Sequence, residues 1–69
     1  MKIIKISTEY ITLGQLLKLT REIQNGAEAK YYLQEKRVLV NDEEENRRGR
    51  KLYKGDIVIT EKEKYRIET

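Results

Sequence analysis

The side chains that most often carry enzyme chemistry are missing from this sequence. There is no His and no Cys, so no imidazole is poised as a base near neutrality and no thiolate is available as a nucleophile. The one Ser, Ser7, therefore has nothing to activate it. Asp42, Glu43, Glu44 and Glu45 put four carboxylates in a row, but adjacent acids read as a solvated turn rather than as a separated acid and base. A calcium loop opening at Asp42 would need Gly at its sixth position and a bidentate Glu at its twelfth, where Arg47 and Tyr53 stand. No GxxxxGK[ST] phosphate loop occurs. The expectation is a protein without catalytic activity, metal or cofactor.

The chemistry that the sequence does offer is cationic. Arg47, Arg48, Arg50, Lys51 and Lys54 follow directly on the acidic run, whereas the other segments nearly cancel within a net charge of +3. Charges that merely balance their acidic neighbours in a solvated loop would be the bland explanation. Three of the five are Arg, whose planar fork holds a phosphate bidentately, and Gly49 lets the backbone come close to a ligand. Tyr53 adds either a stacking surface or a half-buried hairpin residue. Lys30, Lys36 and Arg37, at and just after the second helix, extend the patch because both segments lead into one strand.

These residues must be positioned by a small domain. Residues 1–69 form one unit, 38% hydrophobic and 39% charged, with no Trp, Phe, Cys or Pro. The core is left to Ile, Leu, Val and Tyr. A chain of this length hides only about 60% of its unfolded surface, which favours binding through a face over enclosing a small-molecule substrate. The longest apolar runs, 38–40 and 57–59, fall far short of the roughly 18 residues that span a bilayer, and the amino terminus has no apolar signal region. A cytoplasmic protein with no membrane partner is expected.

Strands are expected at 2–6, 38–40, 57–60 and 65–67, from their β-branched and apolar runs. Thr12 and Gln15 have capping-box spacing, with Ile11 and Leu16 placed as a hydrophobic staple. The first helix then buries Leu13, Leu16, Leu17 and Thr20, and turns Gln15, Lys18 and Arg21 away from the core. Gly14 weakens this helix but allows another backbone or a ligand to approach closely. The second helix is expected to start near Asn25, capped reciprocally with Glu28, and to bury Ala29, Tyr32 and Leu33. Asn41-Asp42 and Lys54-Gly55-Asp56 read as tight turns.

The order of these elements resembles the RNA-binding domain named after ribosomal protein S-four, the alpha-L motif, over residues 11–60. Its helix, helix, "VxVNG" strand and "xxGD" turn correspond to the two helices, Val38 to Asn41 and Gly55-Asp56. The resemblance is closest to the stand-alone bacterial YaaA-like subgroup, through Gly26-Ala27-Glu28-Ala29-Lys30, Leu33-Gln34-Glu35, Val38 to Asn41 and Arg47 to Leu52. It implies an α+β alpha-L fold, with two short helices packed on a small, mainly antiparallel sheet, and added strands at 2–6 and 65–67. It also implies a non-catalytic module, with Lys30 and Asn41 matching family positions near RNA. Thr12-Leu13-Gly14 replaces the family's "RLD", and Asp42 replaces the Gly of "VNG", which shifts the weight toward Arg47, Arg48, Arg50 and Lys51.

The expected partner is structured RNA, ribosomal RNA or a ribosomal particle, in ribosome assembly or translation. Arg and Lys, including Lys30, Lys36, Arg37, Arg47, Arg48, Arg50 and Lys51, would hold phosphates, while Gln15, Gln34 and Asn41 address sugar hydroxyls or base edges. The alternative is a protein-interaction module whose acidic turn 42–45 docks a basic partner such as a ribosomal subunit protein. Helix-turn-helix DNA binding ranks last, because Gly26, Ala27 and Ala29 offer the second helix few base-reading side chains.

Overall fold

A computed structural model describes residues 1–69. Seven short strands and two helices follow one another as β1 (Lys2–Lys5), β2 (Tyr10–Thr12), α1 (Leu13–Leu19), α2 (Glu28–Glu35), β3 (Leu39–Val40), β4 (Glu43–Glu44), β5 (Lys51–Tyr53), β6 (Ile57–Ile59) and β7 (Lys64–Glu68). Five strands form one sheet in the order β1-β7-β6-β3-β4, and β2 pairs with β5 in a separate ribbon. All pairings are antiparallel except β1 with β7, where Lys2 lies beside Tyr65 and Lys5 beside Glu68. The expected α+β class, with two helices and a mainly antiparallel sheet, is the one observed.

The core consists of 13 apolar residues, among them Leu13, Leu16 and Leu17 from α1, Ala29 and Leu33 from α2, and Val40, Leu52, Val58 and Ile67 from the strands. The leucine stripe and the α2 face are thus buried as the helical spacing predicts, with Tyr32 partly buried. Tyr65 is the bulkiest fully enclosed side chain, and a buried hydroxyl needs a partner. Glu22 supplies it, accepting from the Tyr65 hydroxyl at 3.3 Å, the Tyr32 hydroxyl at 2.8 Å and the Thr20 hydroxyl at 2.6 Å. Burial first, and the neighbouring Glu22 carboxylate with it, push the Tyr32 and Tyr65 hydroxyls above the usual phenol range. Nothing in the spacing of the sequence marks Glu22 for this task.

Both capping boxes form, though the second lies ahead of its helix. The Gln15 backbone N–H donates to Thr12 Oγ1 at 3.2 Å, and the Thr12 N–H donates to Gln15 Oε1 at 2.8 Å. Glu28 N–H donates to Asn25 Oδ1 at 3.3 Å, and the N–H groups of Asn25 and Gln24 donate to Glu28 Oε1 at 3.2 Å. Yet α2 starts at Glu28, because the turn from Asn25 closes with the three-residue bonds Glu28 N–H to Asn25 O and Ala29 N–H to Gly26 O, tighter than an α-helix.

Two further expectations shift. The acidic run is not wholly a loop: Asn41 (φ 51°) and Asp42 (φ 69°) form a two-residue left-handed turn that folds Glu43–Glu44 back along β3 as β4. The expected strands also lack one pair: Tyr10–Thr12 pairs with Lys51–Tyr53, some 40 residues downstream.

Helix α1 ends in a Schellman motif, with Glu22 N–H donating to Leu17 O and Arg21 N–H to Lys18 O. Its left-handed residue is Arg21, at φ 63°, where glycine is the usual occupant. Thr12→Ala removes the acceptor for the Gln15 amide and is expected to cost about 1 kcal/mol, read as a lowered thermal midpoint. An unchanged midpoint would mean that another group caps α1.

Candidate RNA-binding face

The basic loop is built around one carboxylate. Glu45 follows β4 and is only 7% exposed. Its Oε2 accepts from the Arg47 backbone N–H at 3.1 Å and from Arg47 Nε at 2.9 Å, and its Oε1 accepts from Arg47 Nη2 at 3.0 Å and Arg50 Nη1 at 2.8 Å. These donors, the Arg47 side chain foremost, outweigh the cost of burial and hold the carboxyl down to about 2. With Arg47 and Arg50 both held on Glu45, the chain between them turns sharply, and the Arg50 N–H donates to Arg47 O at 3.1 Å.

That turn seats the loop on α1. The Leu13 N–H donates to Arg50 O at 2.8 Å, and the Gly14 N–H donates to Arg48 O at 2.9 Å. A helix start has orphan amides that need acceptors. Here loop carbonyls satisfy the first two and Thr12 the third, so the start of α1 has no open amide among these three to offer an anion. Gly14 eases the seating: a Cβ there would lie 3.3 Å from Arg48 O, a tight approach, and 3.6 Å from the Ala29 Cβ. The close approach expected of Gly14 is therefore one by backbone.

The residues expected to meet RNA fall into three groups. Gln15 and Arg48 line a groove with Lys18, Gly26 and Gly49, and Arg47, Arg50 and Lys51 line a depression that shares Gly49 with it. Gln34, Lys36 and Arg37 lie together at the far end of α2, beside Glu44 and Glu45. Lys30 is exposed on α2, one turn before Gln34, and lines neither groove. Asn41 stands apart. Its Nδ2 donates to Asp56 Oδ1 at 3.1 Å and its Oδ1 accepts from the Ile57 N–H at 2.9 Å, so its side chain clamps two turns together.

The cations also differ in what already holds them. Lys36 pairs with Glu61 at 3.0 Å, Arg37 with Glu44 at 3.7 Å, and Arg47 and Arg50 with Glu45. Lys30, Arg48 and Lys51 have no carboxylate partner, and neither have Lys18 and Arg21, which lie with Gln15 on the exposed side of α1. Lys18 and Arg21 were legible as residues facing away from the core, and the three-residue spacing Gln15, Lys18, Arg21 marks one face. What the sequence does not reveal is that this face borders the basic loop. Of the four acids at 42–45, Glu44 and Glu45 are engaged in ion pairs, leaving Asp42 and Glu43 for the alternative acidic docking surface.

Comparison with known proteins supplies a family. The S4 domain family matches residues 4–68. The chain is also 64% identical over 58 residues, covering 84% of this chain and 82% of the other, to the Bacillus subtilis (strain 168) protein named "Probable ribosome maturation protein RlbA".

The Glu45 cluster predicts how stability responds to acid. The folded carboxyl titrates near 2 against an ordinary 4.5, so its contribution is complete above about pH 5 and is lost as pH falls toward 2. Glu45→Gln is expected to cost about 1–3 kcal/mol at pH 7, the worth of hydrogen bonds to a charged group. It should also flatten the stability profile between pH 5 and 2, measured by urea unfolding. A variant with the wild-type profile would remove Glu45 from its central place.

Proposed function

The chain belongs to the S4 domain family of RNA-binding modules, and from that premise we propose that it binds structured ribosomal RNA through the α1, α2 and basic-loop face as a non-catalytic factor in ribosome assembly. The observation that carries this reading is the gathering of Lys18, Arg21, Arg48 and Lys51, none paired with a carboxylate, along adjoining grooves beside a loop whose carbonyls are fixed to α1, with Lys30 exposed on the neighbouring α2. The ribosome-maturation name of the Bacillus subtilis relative supports the cellular setting.

In this reading the five cations take phosphates, Arg48 with a fork suited to bidentate contact. Gln15 keeps its carbonyl on the Thr12 N–H, leaving its side-chain NH₂ to donate outward to a sugar or base oxygen, and Gln34 offers both groups of its amide. Arg47 and Arg50 contribute to the field while serving Glu45. Asn41 belongs to the scaffold.

Binding to ribosomal RNA fragments should weaken with salt, log affinity falling against log salt with a slope of roughly −3 to −4 for four or five phosphates. Replacing Lys18 and Arg48 together by Ala should reduce that slope by about 1.4–1.8, whereas Lys2 and Lys64, exposed on the distant β1 and β7, should scarcely change affinity. Equal losses in the two double variants would leave only overall charge as the cause.

Arg21 gives an independent check, because its backbone and side chain make opposite demands. Arg21→Gly relieves a left-handed strain of about 1 kcal/mol, although the greater freedom of Gly in the unfolded chain offsets part of that gain. The variant should melt no lower than the wild type yet lose one phosphate contact, about 0.7–0.9 from the salt slope. Undiminished RNA affinity would take Arg21 off the face.

A further inference from the structure

Two large aromatic rings are partly exposed beside this face, and phosphate contacts make no use of them. In the β2–β5 ribbon, Tyr10 lies opposite Tyr53, Ile11 opposite Leu52 and Thr12 opposite Lys51. Alternate residues of a strand point to opposite sides, so Ile11 and Leu52 turn toward the core while Tyr10, Tyr53, Thr12 and Lys51 share the outer side. Burial agrees: Leu52 is fully enclosed, whereas Tyr10 is 37% and Tyr53 41% exposed. The two rings lie 5.7 Å apart at a tilt of 49°, and Lys51 Nζ sits 4.9 Å from the centre of the Tyr10 ring. Tyr53 lines the same depression as Arg47, Gly49, Arg50 and Lys51.

A chain without Trp or Phe has few large rings with which to build a core. Leaving two of them in mutual contact at the surface, next to cations, is the arrangement that proteins use for single-stranded nucleic acid, where aromatic faces stack on bases and basic side chains follow the backbone. Bases inside an A-form duplex are already stacked and out of reach, so only an unpaired base can use such a surface.

We propose that the outer side of the β2–β5 ribbon is a stacking platform for an unpaired base, with Lys51 on the phosphates beside it, so that the protein selects RNA with a bulge or loop at this point. The proposal rests on the RNA-binding reading above and adds to it the class of RNA preferred.

The test compares two hairpin RNAs with equal numbers of phosphates, one fully paired and one with a bulge, bound to the wild type, to the Tyr10→Val/Tyr53→Val variant and to the Tyr10→Phe/Tyr53→Phe variant. Val keeps the strand preference and removes the ring; Phe keeps the ring. The wild type and the Phe pair should prefer the bulged RNA by about fivefold or more, and the Val pair should lose that preference with an unchanged salt slope. Because tyrosine is the only fluorophore of this chain, the bulged RNA should also quench wild-type emission more than the paired RNA at saturation, a readout that stands even if the Val pair unfolds. Equal wild-type affinity for both RNAs, with a slope of −3 to −4, would overturn the platform and leave the RNA-binding reading intact. A Val pair that keeps the preference would overturn it as well. Binding to neither RNA would overturn both.

Discussion

Like charges crowded into a short loop repel one another and, left to themselves, spread the chain into water. The buried carboxylate of Glu45 reverses that tendency for Arg47 and Arg50 by accepting four hydrogen bonds from them. Held on that one carboxylate, the two arginines curl the loop, the curl brings the carbonyls of Arg48 and Arg50 over the open amides of α1, and those bonds lock loop to helix. Arg48 and Lys51, in the same loop, have no carboxylate partner. One buried anion therefore sorts neighbouring cations into those held on a carboxylate and those without one.

That sorting explains what could and could not be read from the sequence. The Thr12 to Gln15 box, the leucine stripe and the Asn41-Asp42 turn are local, each set by contacts within a few residues, and each is found where its spacing puts it. The ribbon of β2 with β5 joins segments some 40 residues apart, and a three-residue strand leading straight into a helix leaves little alternation to recognise. Glu45 is one of four consecutive acids, chemically equal to its neighbours until the fold buries it. Asn41 matches a family position near RNA, yet its amide is taken by Asp56 and Ile57, a pairing visible only once the two turns are adjacent. Lys18 and Arg21 lie on a legible helix face, but the basic loop that borders that face arrives from the second half of the chain.

The core obeys a similar economy. Lacking Trp and Phe, it buries Tyr65 and part of Tyr32, and both bring hydroxyl groups that an apolar interior cannot accommodate alone. Glu22, at the end of α1, meets both hydroxyls and that of Thr20, joining α1, α2 and β7 through one carboxylate. Lys62 reaches from the β6–β7 turn to the Thr20 carbonyl at 3.0 Å, a cation at the negative end of the same helix. Two acids thus organise the two ends of α1, Glu45 through the loop at its start and Glu22 through the tyrosines at its finish.

The strand order has a bearing on how the molecule comes into being. β7, the last strand in the sequence, lies between β1 and β6, so the first strand synthesised has no partner in the sheet until the last has emerged. During translation the amino-terminal segment, with Ile3 and Ile4 among its residues, must wait as an unpaired edge, while the helices and the β3–β4 hairpin close early from nearby residues. Lys2 and Lys5, which bracket those isoleucines, give the waiting strand a charge that discourages pairing with a second chain. The parallel seam between β1 and β7 is then the closing step of assembly, and trimming a few residues from β7 would open the middle of the sheet rather than fray its margin.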